Sequence, residues 1–200
     1  MTKRKIYFNK AAGTWDERFY TPELATFLEE LVPSFNLQPG QKILDVGTGT
    51  GMLVPFLLQA IAPHGAITAV DYAEKMVQRC RSKYAHITNV TVELQDVEEL
   101  TLPSDSFDAV TCFGLFPHLY QKEQALHHMY RVLKSKGKLI IAHALSSAEI
   151  KVHHNRVSSP VVHDALPENA EMRWLLTNVG FVDVCIKDEP GRYICLSTKP

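Results

Sequence analysis

Three glycines at alternate positions follow a short apolar run and give the sequence its most specific chemical signal. The run is Ile43-Leu-Asp-Val46, and Gly47, Gly49 and Gly51 alternate with threonines directly after it. Glycine reaches positive φ and has no side chain, so the backbone here is able to lie against a ligand. A helical pattern starts at Leu53, and a helix N-terminus offers unpaired N–H groups. The segment is predicted to be a strand, a ligand-binding turn and a helix.

The spacing of the glycines narrows the class of ligand. A dinucleotide-binding loop reads G-x-G-x-x-G, and Met52 stands where that pattern needs its third glycine. A P-loop is excluded because no G-K-[ST] follows the glycines. Asp45, two residues before Gly47, would repel pyrophosphate and attract a cationic amine or sulfonium. These residues favour a ligand with little or no phosphate, and the alternative is a tight turn that binds nothing.

The segment Asp45-Val-Gly-Thr-Gly-Thr-Gly51 resembles motif I, D/E-x-G-x-G-x-G, of the class I S-adenosylmethionine (SAM)-dependent methyltransferases. Every fixed position matches. The resemblance implies an α/β fold, SAM as the cofactor and transfer of its sulfonium methyl group. It also implies that the loop contacts the cofactor through Asp45, Gly47, Thr48, Gly49 and Gly51.

An acid ends the second predicted strand. This strand covers residues 66–70, and Asp71 follows it, 24 residues after Gly47. A carboxylate at this place is able to accept both ribose hydroxyls of a nucleoside, and in the resembled family this acid binds the ribose of SAM. The alternative is that Asp71 caps the helix predicted from Ala73. Tyr72 and Met76 are predicted cofactor contacts beside it.

A second acid follows the third predicted strand, which covers residues 90–94. Asp96-Val97 fits the family pattern D-A/V/I at this strand end, which implies a contact with the adenine. The alternative is an acid in a surface turn. Phe113, at the end of the fourth predicted strand, completes the predicted cofactor contacts.

Aromatic residues near the N-terminus show no clean helical period. The segment Phe8-Asn-Lys-Ala-Ala-Gly-Thr-Trp15-Asp16 resembles F-D-x-x-A-x-x-W/Y-D, which folds over the cofactor in quinone-type and related small-molecule methyltransferases. Asn9 replaces the usual acid. We therefore predict a lid that brings Trp15 and Tyr20 to the acceptor pocket, and a frayed arm is the alternative.

The exit of the fourth strand supplies further candidate acceptor contacts. Gly114-Leu-Phe-Pro-His-Leu119 resembles the end of F-D-x-V-x-x-x-x-x-L-H-H-L in small-molecule methyltransferases, with Pro117 in place of the first histidine. The segment lacks N/D-P-P-Y/F, which disfavours methylation of nucleobase or glutamine amines. The predicted acceptor pocket is partly apolar, and the alternative is that these side chains pack in the hydrophobic core. Its members here are Leu115, Phe116, His118, Leu119 and Tyr120.

Four histidines lie within 21 positions, at 143, 153, 154 and 163. His143 ends the fifth predicted strand. Ser146-x-x-Glu149 is a capping box, and the helix after it places Ile150, His154 and Val157 on one face. A histidine near its reference pKa suits a general base at neutral pH, so His143 is the first catalytic candidate and His154 the second. His163, followed by Asp164, is predicted to line the acceptor pocket.

Two other roles remain open for these histidines. The steps of 10, 1 and 9 residues between them match no compact ligand motif, so no metal site is predicted. The other alternative is a set of structural histidines on a surface segment.

Strands that alternate with helices predict a doubly wound, mostly parallel sheet with helices on both faces. The runs 181–187 and 192–197, joined through Pro190-Gly191, predict a terminal antiparallel hairpin, the closing feature of the seven-stranded class I methyltransferase fold. We expect one SAM-binding domain over residues 1–200. Within it, residues 1–37 form the lid and first helix, and residues 145–166 form a substrate-side insert.

The composition excludes several partners. Lys and Arg number 21 against 22 acids, and the net charge of -1 favours neither nucleic acid nor an anionic membrane. We expect neither a secretory signal nor a membrane anchor, because no apolar stretch follows the basic N-terminal residues and the longest apolar stretch, residues 52–63, is too short to span a bilayer. Four dispersed cysteines without C-x-x-C indicate reduced thiols in the cytoplasm. The expected partner is a small-molecule methyl acceptor. The sequence leaves two alternatives, a non-catalytic SAM-binding regulator and, disfavoured by Met52, an NAD-dependent oxidoreductase.

Overall fold

Seven β-strands and eight α-helices occur in the computed structural model, which describes residues 2–156 and 160–200. The strands are β1 (Lys42–Val46), β2 (Ala66–Asp71), β3 (Val90–Leu94), β4 (Phe107–Phe113), β5 (Leu133–His143), β6 (Val182–Glu189) and β7 (Arg192–Thr198). The helices are α1 (Lys3–Ala11), α2 (Trp15–Phe19), α3 (Pro22–Leu31), α4 (Val54–Ile61), α5 (Glu74–Tyr84), α6 (Lys122–Val132), α7 (Ser147–Asn155) and α8 (Asn169–Val179). Within the described ranges, no helix combines the length and the apolar character needed to cross a bilayer.

All seven strands form one sheet in the order β3-β2-β1-β4-β5-β7-β6. The first five strands pair in parallel, and β7 pairs antiparallel with both β5 and β6. The chain moves outward from β1 in two directions, first to β2 and β3 and then to β4 and β5. The carboxyl ends of β1 and β4 therefore flank a switch point, where doubly wound sheets bind their ligands. This order confirms the predicted mostly parallel sheet with its terminal hairpin.

The core consists of two layers, one on each face of the sheet. Ile43 of β1 packs in a cluster with α3, α4 and α5, whereas Leu44 packs in the cluster on the other face, with α6 and α8. Both residues are fully buried, as expected for a central parallel strand whose two faces are covered. Burial of both faces holds the strand ends, and the loops that leave them, in fixed positions.

Local signals in the sequence fix several helix ends. The Thr21 hydroxyl accepts the Leu24 N–H at the start of α3, and Ser146 and Glu149 form the predicted capping box of α7. Gly180 ends α8 with φ of 113°. Ile150 and His154 are buried on the same side of α7. Val157 and Ser158-Ser159, which were predicted to continue and end that helix, lie outside the described residues.

Two boundaries differ from the prediction. The sequence predicts a fifth strand over residues 138–144, but β5 starts at Leu133, because this residue already pairs with Phe107 ahead of the turn at Lys136, where φ is 63°. Helix α8 starts at Asn169 instead of Pro167. The segment of unclear period near the N-terminus forms α1, a 3₁₀ turn over residues 12–14 and α2.

Candidate functional site

The loop after β1 holds its three glycines at positive φ, with values of 67° for Gly47, 57° for Gly49 and 85° for Gly51. A Cβ atom at Gly47 would lie 2.7 to 2.9 Å from side-chain atoms of Leu115, so glycine is required there by packing. At Gly49 the nearest atom to such a Cβ is Nε1 of Trp15, at 3.9 Å. The backbone of Gly49 therefore faces open space beneath the indole.

Gly51 faces away from this space. A Cβ atom there would lie 2.5 Å from the Tyr84 ring and 2.9 Å from the sulfur of Cys80, both on α5. Gly51 thus allows the loop to pack closely against the helix, and it is absent from the lining of both cavities described below.

Asp45 is buried at the end of β1, with 2% of its surface exposed. The hydroxyl of Thr111 on β4 donates to its Oδ1 over 2.7 Å, whereas Oδ2 has no hydrogen-bond partner among the described residues. Burial raises the pKa of Asp45 to about 6, and the nearby hydroxyls of Thr111 and Thr48 oppose this only in part. The Thr48 hydroxyl, in the loop, is also buried, and it has no hydrogen-bond partner of normal geometry within the described chain. Among the described residues, these two polar oxygens thus have no hydrogen-bond partner of normal geometry.

Asp71 at the end of β2 connects the glycine loop to α5. Its Oδ2 accepts the N–H of Gly49 over 2.9 Å, and its Oδ1 accepts the N–H of Ala73 over 2.8 Å. Burial raises its pKa to about 6 against the lowering effect of these two bonds. The cap-like contact considered as an alternative is therefore present. A carboxylate oxygen has lone pairs for more than one hydrogen bond, so Asp71 is still able to accept hydrogen bonds from ligand hydroxyls.

A small, partly enclosed chamber and a larger, more open groove adjoin at the carboxyl ends of the strands. The chamber has a volume of about 100 Å³, and the groove about 740 Å³. Residues that line both are Gly47, Asp71, Tyr72, Leu115 and His118. Residues that line only the chamber include Phe8, Trp15, Asp45, Thr48, Gly49, Met76 and Phe113. Residues that line only the groove include Asp96, Val97, Leu119 and Tyr120.

Asp96 has a structural contact as well as a place in the groove. Its Oδ1 accepts the N–H of Glu98 over 3.0 Å and caps the 3₁₀ turn at residues 97–99. Val97 beside it is buried in the core with 5% of its surface exposed. Asp96 thus caps a turn, as the alternative predicted, and it also lines the groove, as the resemblance implied.

The N-terminal segment covers the chamber through Phe8 and Trp15, whose rings pack edge to face with centroids 5.8 Å apart. Asn9 fastens α1 to α5, because its amide donates to Glu74 over 2.8 Å and its carbonyl accepts the Lys75 N–H over 2.8 Å. Lys5 adds an ion pair with Glu74 at 2.7 Å. An aspartate at position 9, as in the resembled motif, would be unable to donate to Glu74.

His118 holds a contact that the sequence did not reveal. Its Nδ1 lies 2.7 Å from Oδ2 of Asp164, and the other oxygen of Asp164 is paired with Arg4 of α1. The Arg4 guanidinium also lies over the Tyr120 ring, 3.8 Å from its centroid. Asp164 lies 46 positions from His118 and 160 positions from Arg4 in the sequence, so no local pattern could have predicted these contacts.

The two predicted catalytic histidines lie outside both cavities. His143 is buried against Tyr193, and burial, together with His118 and His154, lowers its pKa to about 3. Its Nε2 has no hydrogen-bond partner among the described residues. His154 is also buried, and its Nδ1 lies 2.5 Å from the carbonyl oxygen of Asp164. His143 ends β5, where it pairs with Tyr193 of β7, and it lines neither cavity although it lies near His118.

Three predicted acceptor contacts also lie elsewhere. Phe116 is fully buried in the core between the sheet and α6. Tyr20 is 40% exposed, and His163 is exposed one residue before the inward-facing Asp164. None of these three residues lines the chamber or the groove. In the described ranges, no group of three His, Cys, Asp or Glu side chains is arranged to hold a metal ion.

Residues 43–137 match the family model of a methyltransferase domain. The chain is 37% identical over 106 residues to the ubiquinone/menaquinone biosynthesis C-methyltransferase UbiE of Geobacter sulfurreducens, covering 51% of this chain and 41% of that protein. It is 30% identical over 137 residues to the demethylmenaquinone methyltransferase of Symbiobacterium thermophilum, covering 67% of this chain and 51% of that protein. The chain thus spans about half the length, or less, of these curated relatives.

The fold has solved counterparts. The crystal structure of a SAM-dependent methyltransferase from Aquifex aeolicus superposes with a TM-score of 0.69 at 23% identity and covers 86% of this chain and 89% of that one. Its likeness concerns the fold, and the match over residues 43–137 concerns the segment that carries the glycine loop and both strand-end acids. The cofactor of this family is SAM. The domain match, the curated relatives and the shared fold together support a class I SAM-dependent methyltransferase.

Proposed function

We propose that this protein transfers the sulfonium methyl group of SAM to a small, partly apolar acceptor and releases S-adenosylhomocysteine. One observation carries the proposal. Asp45 and Thr48, whose Oδ2 and hydroxyl oxygen lack a hydrogen-bond partner of normal geometry among the described residues, line a small chamber, and this chamber adjoins an open groove lined by Asp71 and Asp96. A single ligand with a cationic amino-acid end and a nucleoside end would place the first in the chamber and the second in the groove.

The chamber suits the amino-acid end of the cofactor. Asp45 Oδ2 would accept from its ammonium group, and the Thr48 hydroxyl is free to bond a polar atom of the same end. Burial of the Asp45 carboxylate without a countercharge is costly, and a bound cation would remove that cost. The residues present therefore fit the group that the family implies.

The groove suits the nucleoside end. We assign Asp71 to the ribose hydroxyls and Asp96-Val97 to the adenine, with Tyr72 between the chamber and the groove. Met76 and Phe113 supply apolar contacts in the chamber. When bound, SAM supplies a methyl group that is already activated by its positive sulfur. The protein is left to hold the reactants in line, exclude water with Phe8 and Trp15, and accept a proton where the acceptor carries one.

The acceptor is expected to be planar and partly aromatic. Leu115, Leu119 and Tyr120 present apolar surface along the cleft, and Phe8 presents an aromatic ring from the lid. One curated relative is named a ubiquinone/menaquinone biosynthesis C-methyltransferase and the other a demethylmenaquinone methyltransferase, and these names support a ring-bearing acceptor for this chain. We further propose one domain over residues 1–200, with residues 145–166 on the acceptor side.

We also propose a cytoplasmic protein that acts without nucleic acid or membrane. The net charge of -1 and the four free thiols, Cys80, Cys112, Cys185 and Cys195, support this assignment.

The test is incubation of the purified protein with methyl-labelled SAM and a cell extract, followed by mass spectrometry of the small molecules. A labelled product that requires active protein identifies the acceptor. Thermal shift with S-adenosylhomocysteine and with NAD runs beside it. Stabilisation by S-adenosylhomocysteine without any labelled product would favour a SAM-binding regulator, and stabilisation by NAD alone would favour an oxidoreductase.

A further inference from the structure

His118 is the one histidine, among the described residues, that lines the chamber or the groove, and it lines both. It ends the 3₁₀ turn at residues 116–118, directly after β4, and 14% of its side chain is exposed. Its ring packs against Phe8 of the lid, with centroids 5.4 Å apart. The imidazole therefore lies where the chamber for the amino-acid end meets the larger groove.

The partner of His118 Nδ1 determines which ring nitrogen carries the proton. Burial disfavours ionisation of Asp164, but hydrogen bonds from His118 and Arg4 outweigh it and hold the pKa of Asp164 below its usual range. An ionised carboxylate only accepts hydrogen bonds, so Nδ1 must donate across the 2.7 Å contact. The lone pair of neutral His118 is then on Nε2, for which the described residues supply no hydrogen bond.

The other candidate histidines lack this combination. His154 lies 5.0 Å from His118 between ring centroids, but its Nδ1 contacts a main-chain oxygen and its ring lies outside both cavities. His143 is buried in the core. The charged or titratable groups around His118 are Asp164 from the segment before α8, Arg4 from α1, Lys122 from α6, His154 from α7, His143 from β5 and, across the chamber, Asp71 from β2. Among the described residues, Asp164 is the only carboxylate with a hydrogen bond to His118.

We propose that His118 is the proton acceptor of the reaction and that Asp164 is the residue that positions it. This inference rests on the proposed methyl transfer, and it restricts the acceptor to a molecule with a proton to lose, such as a phenol or an enol. The acceptor atom forms a bond to the methyl carbon while the methyl–sulfur bond breaks and leaves its electron pair on sulfur. The proton released by the acceptor moves to Nε2 of His118.

Arg4 links this arrangement to the lid. Because Arg4 belongs to α1 and pairs with Asp164, the carboxylate is fully held only when the N-terminal segment lies over the cleft. Arg4 is thus a second positioning residue, and closure of the lid completes the orientation of the base.

The first test needs no substrate. Long-range ¹H–¹⁵N correlation spectra of the free protein report the tautomer of each histidine ring, and His118→Asn identifies the His118 signals by their loss. We expect His118 in the Nδ1–H form, and Asp164→Asn should shift its population toward Nε2–H. A wild-type ring found in the Nε2–H form would overturn the inference without any variant.

The second test uses the acceptor identified with labelled SAM. His118→Asn keeps an amide donor toward Asp164 but has no base, so turnover should fall about 10² to 10⁴-fold. Calorimetry should show SAM affinity within about 3-fold of wild type, since the proposal assigns His118 to proton transfer. Asp164→Asn should reduce turnover by at least about 10-fold. His127→Asn, at an exposed site on α6, is the matched control and should leave turnover unchanged.

The pH dependence separates a base from a structural histidine. A general base acts only in its unprotonated form, so wild-type turnover should rise with pH, and this rise should be absent in His118→Asn. Labelled product from wild type, with equal turnover and the same pH profile in His118→Asn, would overturn this inference alone. Absence of product from the wild type would overturn the methyl-transfer proposal and this inference together.

Discussion

Asp71 Oδ2 accepts the backbone N–H of Gly49 over 2.9 Å, so the acid at the end of β2 holds the centre of the glycine loop. Its other oxygen holds Ala73 at the start of α5. One carboxylate therefore connects the two backbone segments that would lie on either side of a nucleoside. A ligand that bonds to Asp71 meets a group whose orientation is already fixed.

Replacement of Asp71 by alanine should weaken binding of S-adenosylhomocysteine by about 1 to 3 kcal/mol, because ligand hydroxyls lose their partner and Gly49 loses its restraint. Calorimetry measures the change. Asp108→Ala is the matched control, since Asp108 also accepts a backbone N–H, from Lys42 over 2.7 Å, at the opposite end of the sheet. Equal affinities of Asp71→Ala and wild type would remove Asp71 from the binding site.

Gly49→Ala and Gly40→Ala form a matched pair. Both glycines have positive φ, 57° and 83°, and neither position has a neighbour within 3.4 Å of an added Cβ. Each variant should therefore lose stability by about 1 to 2 kcal/mol from the left-handed backbone alone. Only Gly49→Ala places a methyl group on the surface beneath Trp15, so it alone should also lose SAM affinity. Parallel losses of affinity in the two variants would contradict the assignment of the loop.

Asp45 should make the ligand-free protein less stable as pH rises. Its pKa is about 6 in the folded chain, above the ordinary value of about 3.9, so the folded state binds more protons between these values. Stability from this group is therefore lost as pH rises through that interval, by at most about 3 kcal/mol.

Comparison with Asp45→Asn isolates this effect from that of other carboxylates, such as Asp164, whose pKa values are lowered and act in the opposite direction. Urea unfolding should show a stability difference in favour of the variant that is larger near pH 7.5 than near pH 4.5. A difference that is independent of pH would show that the Asp45 carboxylate is not strained by burial.

Asn9→Asp restores the acid of the resembled motif, yet it should loosen the lid. The amide donor to Glu74 becomes a second carboxylate, and repulsion between these partly exposed groups should weaken SAM binding by about 1 kcal/mol or less. The loss should shrink at high salt. Asn89→Asp is the control. The Asn89 amide donates to the Gly65 carbonyl over 2.7 Å just before β3 and β2 begin, whereas the cleft lies at the carboxyl ends of the strands. A gain of affinity in Asn9→Asp would show that the lid has a different closed form.

The sequence predicted the sheet and the glycine loop well because both follow from local patterns. Apolar runs fix which residues form β1 to β4, and the turn pair at Pro190-Gly191 fixes the hairpin. The start of β5 was not predicted because it depends on the pairing of Leu133 with Phe107, two residues that are distant in the sequence.

The acceptor side was predicted less well for the same reason. His143 ends a strand, but the position of β7 beside β5 brings Tyr193 against its ring and closes it into the core. His118 received no catalytic role, since its partner Asp164 comes from a segment 46 residues away. Asp164 is buried and the neighbouring His163 is exposed. These residues lie at a turn, where neither the helical nor the strand period predicts which side chain faces inward.

The cover formed by α1 and α2 has a consequence for kinetics. Phe8 and Trp15 line the chamber, and this cover is fixed on one side by the pair of Arg4 with Asp164 and on the other by the contacts of Lys5 and Asn9 with Glu74. A cofactor seated in the chamber has to enter and leave while the cover is displaced. We therefore expect compulsory-order addition, cofactor before acceptor, with slow exchange of the spent cofactor limiting steady-state turnover and a burst of product in the first cycle.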